Sequence, residues 1–244
     1  MNKANLKHIT DVNGQGVITH NFAIDAPILT DILPMTAIEY AKKSIEMINL
    51  KSFNDINEAC KSAILADISA LFMISHESFV DYQAQYFEPK ILSEENCQNP
   101  IMHGQYGLFA HLEIKQYQIL GFYSGIYATS LLDLHILASQ FDPLLIGRYG
   151  NACLKDGFPV ICGHYNGNYM TVINDWRPFE WYNMSQKAQD ASKAQTYNAN
   201  SVVIRSGDYY FIAYVATKNI AIGTQIITDY GVDYWKREEA LIRA

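Results

Sequence analysis

A chain of 244 residues with 49% hydrophobic and 18% charged residues can bury a sizeable core without staples and has a globular, not a disordered, composition. Its formal net charge of −7 argues against a non-specific nucleic-acid binder, which carries a basic face, and suits a basic protein substrate or partner. The polar start "MNKANLKHITDVNGQG" lacks the apolar core of a signal peptide, and no apolar run is long enough to span a bilayer; a soluble, cytoplasmic chain with no membrane association is expected, one that leaves its cell, if it does, without a signal peptide.

The four cysteines, Cys60, Cys97, Cys153 and Cys162, show no C-x-x-C spacing, so free thiols in a reducing compartment and no metal site are expected. From about Thr36 to Tyr86 the pattern is helical. "TAIEYAKKSIEMI" opens after Pro34 with Ile38, Ala41, Ile45 and Ile48 at helical spacing. "DINEACKSAILADISALFMISHESFVDYQAQYF" continues it, with Ala63, Leu65, Ile68, Leu71 and Phe72 as the apolar stripe. Pro89 and "SEENCQNP" then mark a boundary before Ile101, which separates a helical region over 1–100 from a β-rich one over 101–235.

After the boundary, "GQYGLFAHLEIKQYQILGFYSGIYAT" consists of short apolar segments punctuated by Gly104, Gly107, Gly121 and Gly125. "SLLDLHILASQF" fits a short helix or an irregular arm. "FPVICGHYNGNYMTVIND" predicts strand, turn, strand. The polar run "MSQKAQDASKAQTYNANS" predicts an exposed excursion, helical around Lys187 to Lys193, within an insertion near 176–198. "VVIRSGDYYFIAYVATKNI" predicts a hairpin with Ser206-Gly207-Asp208 as its turn, and "AIGTQIITDYG" closes the sheet. The tail over 236–244 follows. In "GTQIITDYGVDYW" a tyrosine stands where a strand breaks, between Asp229 and Gly231. Such a position aims a side chain into a cleft, and it equally suits a core tyrosine whose hydroxyl finds a partner.

Three blocks, in order, resemble those of a SET domain, the fold of many protein-lysine methyltransferases. "GQYGLFAHLEIKQYQILGFYSG" is similar to the family's glycine loop, following strand and aromatic-glycine turn. "GNYMTVIND" is similar to G-N-x-x-R-F-x-N-H, and "ATKNIAIGTQIITDYG" to A-x-x-x-I-x-x-G-E-E-L-T-x-D-Y-G. The resemblance covers Met102 to Trp235. It implies an α+β, mainly β fold of small β-sheets around a pseudoknot, here with a helical N-terminal region. The style and size are similar to those of small SET proteins of bacteria that live with eukaryotic hosts.

The resemblance further implies S-adenosylmethionine on one face, a lysine-bearing protein or peptide on the other, possible histone or host substrates among them, and a channel between the two. Tyr230 and Tyr123 match channel tyrosines. Gly104, Gln105, Tyr106 and Gly107 match the loop that approaches the methionine part of the cofactor, Asn174 matches the asparagine that grips it, Asp175 follows, and Trp235 is placed to stack on the adenine. The chemistry suits these residue types. Methyl transfer from a sulfonium is an in-line displacement that needs alignment and exclusion of water. The target lysine must be neutral although its ordinary pKa is about 10.4, and a desolvated aromatic channel favours that form.

The chain also departs from the family pattern. Asp175 stands for the usual histidine, Thr171 for the arginine and Gln105 for the middle loop glycine, while Thr224 and Gln225 replace the glutamates after Gly223. Either Asn198 or Asn200 resumes the pattern after the insertion. No cysteine cluster follows Trp235, so "VDYWKREEALIRA" is expected as a short helix covering the lysine site. Thr228, two residues before Tyr230, leaves room for more than one methylation. The expected function is S-adenosylmethionine-dependent methylation of a protein lysine. The departures leave open a catalytically inactive SET-like module that binds a peptide or protein, or a methyltransferase with another acceptor.

Overall fold

Asn57 opens helix α1 (Glu58–Met73): its Oδ1 accepts the N–H of Cys60 at 2.9 Å, which satisfies one of the donors that a helix start leaves unpaired. The structure is a computed structural model that describes residues 45–47, 57–73, 76–97, 102–123, 126–128, 131, 135, 150–153, 160–163, 169–178, 181–206 and 209–236. The start of the helix expected over "TAIEYAKKS", the Gly207-Asp208 turn and the tail beyond 236 lie outside the described residues, as does "SLLDLHILASQF" except for Leu131 and His135, which are both helical. Helix α1 buries Ile64 and Ile68, one turn apart, whereas Ala63 is exposed. Ile68 of the expected stripe is thus in the core, Leu65 and Leu71 are half-buried beside it, and Ile64 takes the place expected for Ala63. Helix α2 (His76–Tyr86) follows and buries Gln83.

Among the described residues, eleven short strands fall into four small sheets. The first five are β1 (Ile45–Met47), β2 (Phe87–Ile91), β3 (Tyr106–Ala110), β4 (Ile119–Phe122) and β5 (Ile126–Ala128). Then come β6 (Gly150–Ala152), β7 (Val160–Cys162) and β8 (Asn174–Asp175). The last three are β9 (Ala199–Ser206), β10 (Tyr209–Ala216) and β11 (Ile227–Thr228). Sheet orders are β1-β9-β10-β4, β2-β3, β5-β7-β6 and β11-β8, all antiparallel except the last, which is parallel. The result is a mix of helices and small sheets, not a closed barrel. Helix α3 (Gln186–Thr196) stands where the polar excursion was expected, N-capped by Ser185.

Four sequence expectations are corrected. Ile45, expected in a helix, lies in β1 and pairs with Ser206; an available strand edge overrides helical spacing for a β-branched residue. Pro89, expected to mark a boundary, lies inside β2 opposite Leu108, on an edge strand where its missing N–H is tolerated. In "GNYMTVIND" the second strand shrinks to Asn174–Asp175, because Tyr169–Val172 coils into a 3-10 helix. And "GTQIIT" does not close the main sheet. It runs along β3, with Ala110 N–H to Thr224 O at 2.9 Å and Ile226 N–H to Leu108 O at 2.7 Å, and then pairs with β8.

The core joins these sheets through buried Leu108, Leu120, Met170, Ile173, Ile212 and Ile226. Gln83 of α2 stands over β4, where a Cβ on Gly121 would lie 3.3 Å from its Nε2 and from the Met170 side chain. Asn198 ties the C-terminal segment to the main hairpin. It is 2% exposed; its Nδ2 donates to Gln225 O at 2.8 Å and its Oδ1 accepts from Ile227 N–H at 2.8 Å.

Candidate functional site

The parallel pairing of β8 with β11 sets Ile227 opposite Asn174 and Thr228 opposite Asp175, and Trp176 N–H extends it to Thr228 O at 3.0 Å. Asn174 is buried, and its Nδ2 donates to the carbonyl of Tyr106 at 3.0 Å. Residues from all three sequence blocks thus meet at one asparagine. In the loop before β3, Gly104 has φ +85° and open space where a Cβ would stand. Exposed Gln105 accepts the Leu92 N–H through its carbonyl at 2.7 Å. Gly107 has a packing reason to be small: a Cβ would stand 2.6 Å from both Gln225 Nε2 and Leu92 Cδ2. Burial pushes the half-buried Tyr106 phenol above its ordinary pKa.

Tyr230 is fixed at both ends. Its N–H donates to Asp175 Oδ2 and its hydroxyl donates to the carbonyl of Ile173. Its ring meets Tyr234 edge-on at 4.8 Å, and Tyr234 meets Trp235 at 5.5 Å. Residues 232–236 are helical, at the start of the expected covering helix. Burial, then the neighbouring Tyr234, Tyr214, Asp175 and Tyr123, hold the Tyr230 phenol well above its ordinary pKa. The two candidate tyrosines are therefore within electrostatic reach of each other. Tyr123 is buried, and its ring lies 6.4 Å from that of Tyr214. Gly163, which sequence reasoning did not single out, makes room for it: a Cβ there would stand 2.9 Å from the Tyr123 hydroxyl and 2.4 Å from Thr171 Cγ2.

The residues after Asn174 form an ionic group that the sequence did not announce. Arg177 is buried, and its Nη1 donates to Asp175 Oδ2 at 2.9 Å and to Asp229 Oδ1 at 2.8 Å. Lys193 of α3 pairs with Asp229 Oδ2. The guanidinium lies 4.7 Å from the Trp176 ring and 5.2 Å from that of Trp181. Burial raises the Asp175 pKa, against the pull of Arg177 and of the Tyr230 and Arg177 N–H groups. At Asp229 burial also pushes upward, but Lys193, Arg177 and the Gly231 N–H outweigh it and hold the group at about 2.

Because the Asp229 pKa is depressed, its stabilisation is complete above the ordinary 3.8 and disappears as pH falls through about 2. Asp175, being raised, acts in the opposite sense. Urea midpoints of Asp229→Asn should accordingly fall less than those of the wild type as pH drops below 3.8. An equal fall would show that Asp229 is not held this way.

Among the described residues several buried polar atoms have no hydrogen-bond partner, including Trp235 Nε1 and Thr228 Oγ1. The indole donor stands beside the Tyr230–Tyr234 stack and suits a ligand that brings an acceptor. Among the described residues no group of three His, Cys, Asp or Glu could hold a metal, and no helix is long and apolar enough to cross a membrane.

No family model and no curated protein matches the chain. Among solved structures it is similar to Polycomb Repressive Complex 2 assemblies of Chaetomium thermophilum. An apo form with mutations in Ezh2 matches at 16% identity and TM-score 0.43, over 63% of this chain and 16% of that one. An autoinhibited form bound to S-adenosylmethionine matches at 17% identity and TM-score 0.42, over 65% and 17%. The crystal structure of the complex matches at 17% identity and TM-score 0.42, over 60% and 15%. The chain spans about a sixth of the length of these matched chains.

Proposed function

We propose that the chain is an S-adenosylmethionine-dependent protein-lysine methyltransferase with a SET-like fold, in which the 173–176 and 226–230 segments form the family's pseudoknot. The observation that carries this reading is the junction at Asn174, whose amide holds the Tyr106 carbonyl while its backbone pairs with Ile227. Tyr106 and Asn174, which the family resemblance assigns to cofactor binding and which lie 68 residues apart, are in contact there, and this contact supports the reading.

S-adenosylmethionine, when bound, supplies a methyl group on a cationic sulfur. Gly104, Gln105, Tyr106, Gly107, Asn174, Asp175 and Trp235 are the residues assigned to hold it. Glycine at 104 keeps the loop backbone approachable, since no Cβ intrudes. Tyr123 and Tyr230 line the lysine side. Burial and neighbouring groups keep the Tyr230 phenol un-ionised at neutral pH, so it orients an amine without attracting the ammonium form. Aromatic walls exclude water and cradle the lysine stem. The acceptor is a lysine-bearing protein or peptide.

A second reading, a catalytically silent SET-like binding module, is favoured by one detail: the Tyr230 hydroxyl already donates to Ile173. Two measurements separate the readings. S-adenosylhomocysteine should raise the melting temperature of the wild type, because a ligand bound only to the native state stabilises it, and Asn174→Ala should lose most of that shift. An intact shift in the mutant would remove Asn174 from the site. Transfer of labelled methyl to protein in a cell extract then distinguishes an enzyme from a binding module.

A further inference from the structure

Arg177 and Lys193 act on the same short turn through the two carboxylate oxygens of Asp229. Asp229 and Gly231 flank Tyr230. The Tyr230 N–H is held by Asp175 Oδ2, and the Gly231 N–H by Asp229 Oδ1 at 2.8 Å. Both of these backbone bonds end on carboxylates, and Arg177 Nη1 bridges the two carboxylates. Lys193 then takes the second oxygen of Asp229. Helix α3, which carries Lys193, buries none of its own side chains. Among the described residues it is also tied by the hydrogen bonds of Lys218 Nζ to Ala194 O and Gln195 O, both 3.1 Å, by the Gln189 side-chain bonds to Trp181 O and Met184 O, and by the Lys193 ammonium near the Trp176 and Tyr197 rings. Ala188, Gln189, Ser192 and Lys193 form its half-buried face, and among the described contacts the helix reaches the tyrosine turn through Lys193.

We propose that Arg177 and Lys193 are positioning residues, which clamp the Asp229–Gly231 turn so that helix α3 sets the orientation of Tyr230. The clamp has a rigid half and an adjustable half. Arg177 is buried close to two tryptophan rings, is bonded to both carboxylates and is sheltered from salt. Lys193 keeps 40% of its side chain exposed, so salt and substitution reach it. Removing Lys193 should loosen the turn without unfolding the chain. Removing Arg177 would strand a buried carboxylate and confuse loosening with unfolding.

The clamp itself is a matter of geometry, whereas its effect on turnover rests on the methyltransferase reading; the test therefore has one arm for each. In the full-length chain, Lys193→Ala should speed hydrogen exchange at the Tyr230 and Gly231 amides by about tenfold, while the amides of β9 and β10 keep wild-type protection. Lys193→Arg should restore protection, since it restores the cation. Unchanged exchange at those two amides overturns the clamp. A uniform rise across β9 and β10 also overturns it, because Lys193 would then serve global stability only. In methyl transfer, Lys193→Ala should lower kcat by about tenfold with KM for the cofactor unchanged, and high salt should mimic it in the wild type. If exchange responds and the wild type transfers no methyl group, the clamp stands and the enzymatic reading fails. If kcat is unchanged in an active enzyme whose exchange has risen, Lys193 does not position Tyr230 for chemistry and the proposal is overturned.

Discussion

Tyr230→Phe is expected to lower methyl transfer by about 100-fold or more while leaving the fold and the S-adenosylhomocysteine shift in place. The ring stays, so the edge contact with Tyr234 at 4.8 Å survives. The main-chain bond to Asp175 also survives, because it uses the backbone N–H. Only the hydroxyl goes, and with it the bond to the Ile173 carbonyl. A hydroxyl that serves packing alone should show the loss as stability, about 1 kcal/mol for one hydrogen bond, with no change in rate. A hydroxyl that orients the amine should show it as rate. Initial rates at saturating cofactor, measured beside thermal melts of both proteins, separate the two. A variant that melts lower but turns over normally would make Tyr230 a structural residue.

Asn198→Ala should produce the largest loss of stability, about 2–4 kcal/mol by denaturant unfolding, because it leaves the Ile227 N–H and the Gln225 carbonyl without partners in a buried place. The same substitution should weaken cofactor binding indirectly, since the Gln225–Ile227 segment leads into β11 and so holds Asn174. Asn200→Ala is the control. Its Nδ2 is buried without a partner, so its loss should be smaller. Equal losses for the two asparagines would show that the C-terminal segment does not depend on Asn198.

Much of the architecture was legible in the sequence because it is local. The β9–β10 hairpin follows from two β-branched and aromatic runs, and α3 from a polar run with Ser185 at its start. What was illegible depends on partners distant in the chain. Ile45–Met47 becomes a strand because β9 has a free edge, not because of anything in its own spacing. That Asn198 holds residues 225 and 227 follows from contacts its own sequence neighbourhood does not reveal. Gly163 declares itself only once Tyr123 and Thr171 are in place. At the candidate site, the motif spacing pointed to Tyr230, Asn174 and the 104–107 loop, while Arg177 and Lys193 match no motif. Their role comes from two carboxylates that converge from positions 175 and 229.

The last block of the chain supplies one flank of β3 and the partner of β8. The bond from Asn174 to Tyr106 closes a loop of 68 residues, and that from Tyr230 to Ile173 one of 57. Contacts of such long range form late, after the entropy of closing the loop has been met. During synthesis, at about 5–20 residues per second, β3 therefore emerges well before the strand that will cover it. Until Gly223 to Thr228 arrive, the nascent chain carries an open, apolar edge at Leu108 and Ala110, the kind of surface on which a chaperone acts and from which aggregation starts. A chain cut short before Gly223 would keep that edge for good.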